Sequence, residues 1–183
     1  VEADLRSTAE NPAVIEAVQR FDAAYTEIAR QTDAVDALKA AYITDNPNPL
    51  GEKHRLDRAA TGFAYDDEHA AYHPWFRTHL EAHGYYDVFL FNTRGDLVYS
   101  VFKEEDYATN FAANGGEWAA SDLGEAFRAV SRAQPGEIGF FDFKPYAPSH
   151  GAPASFISTP IFDGGRRVGV LVFQMPIDQL NTL

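Results

Sequence analysis

Apolar residues recur at alternating spacings of four and three along the first forty positions: Val14, Val18, Phe21, Tyr25, Ile28, Val35 and Tyr42, with Thr32 and Lys39 in the two gaps. That heptad-like stripe predicts one long amphipathic helix. Asn11-Pro12 is an N-cap followed by a proline suited to a first helical turn, so residues 1–10 are set off as a separate run. Asp45-Asn46-Pro47-Asn48-Pro49-Leu50-Gly51 reads as a loop. Helical patterning resumes at 53–60 and at 66–83, where Pro74 is expected to interrupt the helix and Gly84 to cap it.

Beyond Gly84 the pattern changes to strands. Runs at 86–91 and 97–102 flank Asn92-Thr93-Arg94-Gly95-Asp96 and predict a hairpin. Residues 104–120 are irregular around Asn114-Gly115-Gly116. Ser121-Asp122 then opens a helix with apolar face Leu123, Ala126, Phe127 and Val130, and Glu125 is expected to complete a capping box with Asp122. Pro135-Gly136 ends it. Three more strands follow at 138–143, 154–162 and 168–175, the last two joined by Asp163-Gly164-Gly165. A short amphipathic segment, 176–183, predicts an exit helix. Five strands with hairpin-length links imply an α+β fold, with a mostly antiparallel sheet and one inserted helix.

The chain is read as a single domain, 1–183: a helical region to 45, loop and helices to 84, the sheet with its inserted helix over 85–175, and the exit segment. At 183 residues, 45% hydrophobic and 14% aromatic, it can bury a proper core. A net charge of −12 argues against nucleic acid and anionic membrane surfaces, which require clustered Lys and Arg. The absence of cysteine excludes disulfides, thiolate metal sites and a Cys nucleophile. No apolar run reaches the ~20 residues of a membrane span. Because the chain starts with Val, it is read as a trimmed fragment whose flanking spans lie outside it.

Several short motifs, taken in order, resemble a known family. Pro145-Tyr146, Pro160-Ile161-Phe162-Asp163-Gly164-Gly165, Val168-Gly169-Val170-Leu171-Val172 and Ile177-Asp178-Gln179-Leu180 look like the Cache family, the PAS-like (PDC) extracellular sensors of bacterial methyl-accepting chemotaxis receptors, sensor histidine kinases and nucleotide cyclases. A receptor subgroup is echoed by Asn46-Pro47, Gly51-Glu52-Lys53, Tyr72-His73-Pro74, Phe76-Arg77, Gly84-Tyr85-Tyr86-Asp87 and Val101-Phe102-Lys103-Glu104. The resemblance implies a long N-terminal helix and a PAS-like five-stranded antiparallel sheet flanked by helices. It also implies a periplasmic or extracellular domain of an inner-membrane receptor, a small polar ligand, and a signal leaving through the C-terminal helix. Many family members hold amino acids with an Arg-Pro-Trp-Tyr run, a Tyr and an Asp. Here Tyr146 matches the Tyr, Gln174 stands at the Asp position, and His73-Pro74-Trp75-Phe76 falls on the wrong side of the hairpin. A neutral amide cannot compensate a buried ammonium, so amino-acid specificity is not carried over.

The resemblance puts a pocket between one sheet face and residues 103–124. Its expected lining is Lys103, Tyr107, Trp118, Asp142, Tyr146, Ser158 and Gln174, with Lys103 as partner either for a ligand carboxylate or for Glu104, Glu105 or Asp106 nearby. Strand alternation places Asp142, Lys144 and Tyr146 on one face, Phe141 and Phe143 on the other, and Ser155 opposite Ser158. His69/His73 and His79/His83 have the i,i+4 spacing of metal ligands, but a break at Pro74 would misalign the two pairs, and packing roles are preferred; no metal or cofactor is expected. Gly-x-Ser-x-Gly, P-loop and GxGxxG motifs are missing, so no enzyme activity is expected. The sequence therefore reads as a periplasmic sensor of a polar metabolite, with the heptad seam serving a homodimer, packing along the chain's own domain, or both on different faces. A ligand-free dimerisation module and a histidine-based metal sensor are the alternatives.

Overall fold

The computed structural model describes residues 1–177. The N-terminal region is not one helix but three: α1 (Glu2–Glu10), α2 (Pro12–Gln31) and α3 (Ala34–Lys39), which runs on into a π-helical turn, Ala40–Thr44. The breaks have local causes. The Asn11 side chain accepts from the Ala13 N–H at 2.9 Å to start α2, and the Asp33 side chain accepts from the Asp36 N–H at 3.0 Å to start α3. The heptad stripe also has a different use from the one expected. Val14, Val18, Phe21, Tyr25, Ile28 and Tyr42 are buried in the chain's own core, Val35 partly so, and α2 packs on α4 (Ala64–His83) and on the sheet. These seam side chains are thus occupied by the protein itself.

Pro74 does not interrupt its helix. α4 runs unbroken through it, because Tyr65, His69, His73, Phe76 and Leu80 form a continuous buried face on both sides of the proline. Gly84 caps it at φ 70°. Strands β1 (Asp87–Phe91), β2 (Leu97–Ser100), β3 (Gly139–Pro145), β4 (Pro153–Asp163) and β5 (Arg166–Met175) form one antiparallel sheet in the order β2-β1-β5-β4-β3. The order follows from two hairpins, β1–β2 and β4–β5, meeting along β1 and β5. Close approach of α2 and β1 to β5 demands a glycine at 169: a Cβ there would lie 2.3 Å from the Phe91 carbonyl oxygen and 2.8 Å from Val18 of α2.

Each sheet face has its own core. Val88, Leu90, Val98, Ile157, Leu171 and Phe173 pack beneath α2 and α4. Phe89, Phe91, Phe156, Val170 and Val172 pack beneath α5 (Asp122–Val130). The α5 cap is Ser121, which accepts from the Gly124 N–H at 3.4 Å, in place of the expected Asp122–Glu125 box. The expected alternation along β3 also fails. A register irregularity between Phe141 and Lys144 sends Phe141 toward the α5 core and Phe143 toward the opposite core. The predicted exit helix, 176–183, lies almost wholly outside the described residues.

Candidate ligand-binding site

On the α5 side of the sheet, a cleft of about 290 Å³ is lined by Trp118, Ser121, Asp122, Lys144, Tyr146 and Phe156. Tyr146, just past β3, packs edge-on against Phe156 at 5.1 Å between ring centres and donates its hydroxyl proton to Asp106 Oδ2 at 2.7 Å. Behind it lies a polar chain. The Gln174 amide donates to Ser149 Oγ at 3.0 Å, Ser149 donates to Glu104 Oε1 at 3.1 Å, and Tyr86 donates to Glu104 Oε2 at 3.0 Å. Gln174 stands across from Phe156 in the β4–β5 register and from Asp87 in the β1–β5 register.

Four buried polar atoms of this region have no hydrogen-bond partner among the described residues: Asp106 Oδ1, Asp122 Oδ2, Gln174 Oε1 and Trp118 Nε1. Buried polar groups are paired in the great majority of cases, and each orphan costs free energy. Three of these four atoms are acceptors. Asp122 and Trp118 are in the cleft wall, with Asp106 behind Tyr146 and Gln174 behind Phe156, whereas a roomier hollow of about 470 Å³, lined by residues such as Ala37, Ala41, Asp45 and Arg58, has none of the four in its wall.

The electrostatics repeat the acceptor excess. Burial pushes the Asp106 carboxyl up to about 6, against the Tyr146 hydrogen bond, which pulls it down. Burial and then the Asp106 charge push Glu104 up to about 7. Asp87, fully enclosed at the start of β1, is held well above the ordinary carboxylate range by burial and by the charges of Asp106 and Glu104, although the N–H groups of Phe102 and Val88 oppose this. Crowded acids of this kind favour a cation between them.

The expected lining residues divide. Trp118 and Tyr146 line the cleft, and Gln174 adjoins it. Ser158 does not: its hydroxyl donates to the Ala126 carbonyl at 2.8 Å and ties α5 to β4. Asp142 is exposed and accepts from the N–H of Phe143 at 2.8 Å. Lys103 and Tyr107 belong to the other face. The Lys103 ammonium donates to the Ser100 carbonyl and lies 4.5 Å from the Tyr99 ring centre and 5.2 Å from that of Tyr107. It is turned inward by a positive φ of 60°, and burial pulls it down to about 7 despite the Asp87 charge. The Tyr107 hydroxyl pairs with that of Tyr65 at 2.7 Å.

Asp106, Glu104, Asp122 and Ser149 were missed. One clue was available: Asp87 is a charged residue opening an otherwise apolar strand, a position that requires a buried polar neighbourhood.

The first histidine pair is structural. His69 and His73 stack at 4.3 Å, and His73 lies 2.6 Å from both the Tyr99 hydroxyl and the His54 carbonyl. Burial pulls His73 down to about 2. It therefore stays neutral, donating to the carbonyl and accepting from Tyr99.

No protein-family model and no curated protein matches the sequence. Among solved structures it aligns with the sensor domain of the V. cholerae histidine kinase DctB, at 13% identity and TM-score 0.49, over 91% of this chain and 56% of that one. It aligns with the ligand-binding domain of the Pseudomonas fluorescens chemoreceptor CtaA, in complex with L-serine, at 14% identity and TM-score 0.45, over 90% and 58%. The sensory domain of the Campylobacter jejuni chemoreceptor Tlp3 aligns at 12% identity and TM-score 0.46, over 98% and 67%. The chain thus spans little more than half of the first two, and identity this low transfers no residue role.

Proposed function

We propose that this chain is the periplasmic ligand-binding sensor domain of a transmembrane receptor of the chemotaxis type, and that its cleft takes a small metabolite bearing an ammonium group. The carrying observation is the set of unpartnered buried acceptors, Asp106 Oδ1, Asp122 Oδ2 and Gln174 Oε1, beside the aromatic rings of Trp118, Tyr146 and Phe156. An ammonium has three donors and no acceptor, and aromatic faces add cation–π attraction. The charge that Gln174 cannot supply comes from the two aspartates. The expected carboxylate partner, Lys103, turns away from the cleft toward Tyr99 and Tyr107, while Lys144 in the cleft wall stands 3.9 Å from Asp122 Oδ1 and leaves its Oδ2 unpartnered. A cleft of about 290 Å³ is near the small end of ligand pockets and suits a metabolite.

Gln174 is also the link to output. It lies in β5 immediately before Met175 and the segment that leaves the sheet. A ligand that binds one arrangement of that strand end better than another shifts the population between them, and a coupling of ~1–3 kcal/mol suffices for a several-fold change. The test is thermal shift and calorimetry with small primary amines, each beside its neutral alcohol and its carboxylate counterpart, and with L-amino acids. Amines should stabilise the domain, and Asp106→Asn and Asp122→Asn should each remove the effect. Stabilisation by carboxylates alone, or by none of the panel, overturns the reading.

A further inference from the structure

A second site lies on the other face of the sheet from the cleft, where the first helix meets the end of α4. Asp4 of α1 sits between His79 and His83, with its Oδ2 3.1 Å from His79 Nε2 and its Oδ1 3.7 Å from His83 Nε2. One ligand-type atom from each residue lies within 4.8 Å of the others. Because Pro74 leaves α4 unbroken, His79 and His83 share a face one turn apart.

The tautomers make this more than a cluster. His83 Nδ1 is 2.9 Å from the His79 carbonyl, which can only accept, so Nδ1 carries the proton. That bond leaves Nε2 as the free ring nitrogen of His83, 3.7 Å from Asp4 Oδ1, too long for a direct hydrogen bond and open to a bridging ion. The carbonyl bond is also the outer support that metal-bound imidazoles ordinarily have. The rings are held by stacking: Trp75 on His79 at 5.0 Å, His79 on His83 at 4.2 Å, and His83 on Tyr85 at 5.6 Å. Tyr85 further donates to Asp4 Oδ2 at 2.5 Å, which orients the carboxylate.

We propose that Asp4, His79 and His83 form a binding site for a divalent transition metal ion, which clasps α1 to the C-terminal turn of α4. Two imidazoles and one carboxylate with open positions suit Zn²⁺, Co²⁺, Ni²⁺ or Cu²⁺ and not Mg²⁺ or Ca²⁺, which take all-oxygen sets. Ligands about 2.0–2.1 Å from a tetrahedral ion lie roughly 3.3 Å apart, so small side-chain rotations close the site. The ion takes the Nε2 position of His79, and the single ring proton moves to Nδ1 through solvent, so the imidazole binds as the neutral ligand. The site is independent of the cleft and stands whatever ligand the cleft takes.

Trp75 supplies the readout, since it stacks on one of the ligands. Tag-free protein is titrated with Ni²⁺ or Cu²⁺ and followed by tryptophan fluorescence, and with Zn²⁺ followed by melting temperature. The expected result is saturable quenching at one ion per chain and a Zn²⁺-dependent rise in Tm, with neither effect from Mg²⁺. His83→Gln and Asp4→Asn should each weaken binding by about tenfold or more. Trp75→Phe should abolish most of the quenching and keep the Zn²⁺ shift, which separates binding from its reporter. No quenching and no Zn²⁺ shift in the parent protein would mean a proton fills the gap, and equal affinity in both ligand variants would mean scattered surface binding. Either result overturns the site.

Discussion

The Tyr146 hydroxyl donates to Asp106 at 2.7 Å, and the second oxygen of that carboxylate has no partner among the described residues. The tyrosine is thus both a wall of the cleft and the support of its buried charge. Tyr146→Phe should cost about 1–3 kcal/mol, the penalty of a buried acceptor losing its donor. It should also push Asp106 further up, since that hydrogen bond pulls it down. Urea unfolding checks the first effect. A higher pH midpoint for amine binding checks the second, and a midpoint that stays put would separate Tyr146 from the site.

Amine affinity should depend on pH. A bound cation favours ionised carboxylates, and those near the cleft titrate at about 6 for Asp106 and about 7 for Glu104. Affinity should therefore fall as pH drops through 7 and 6, and binding near neutral pH should release protons. Calorimetry in buffers of different ionisation enthalpy measures that release directly; buffer-independent heats would contradict it.

Glu104 should destabilise the unliganded domain at alkaline pH. Burial raises it from the ordinary 4.5 to about 7 in the folded state, so the folded state holds more protons between those limits and stability drops as pH rises through them. Glu104→Gln removes the titration. The variant should match the parent near pH 5 and exceed it near pH 8 by on the order of 1–3 kcal/mol, as a shift of this size implies. Thermal melts at the two pH values decide it.

His73 acts with the opposite sign. Its folded value is about 2 against 6.5, so the unfolded chain takes up a proton that the folded chain refuses, and this contribution is lost progressively as pH falls below 6.5. His73→Gln should lower stability at neutral pH, where the Tyr99 and His54 bonds are disturbed. It should also flatten the acid limb of the stability profile relative to the parent. An unchanged acid limb would show that His73 is not held neutral.

Gly169→Ala tests how α2 seats on the sheet. The added methyl would meet the Phe91 carbonyl and Val18, and relieving that overlap should cost about 1–3 kcal/mol. Denaturant midpoints of the two proteins measure it.

Local signals placed the elements. Alternating apolar runs and glycine turns located all five strands, Gly84 ended α4, and Asn11-Pro12 began α2, because period and caps depend on residues within one or two turns of each other. Tertiary packing decided the rest. The heptad stripe looked equally suited to a partner or to the chain's own core, and only the sheet beneath it shows that the core claims it. A bulge in β3 overturned the parity that had placed Asp142 beside Tyr146. Above all, nothing along the chain distinguishes a solvated aspartate from a buried one. Asp106 meets Tyr146 across 40 positions and Asp4 meets His79 across 75, so the charge of both candidate sites arises from contacts between distant segments, which a one-dimensional pattern does not encode.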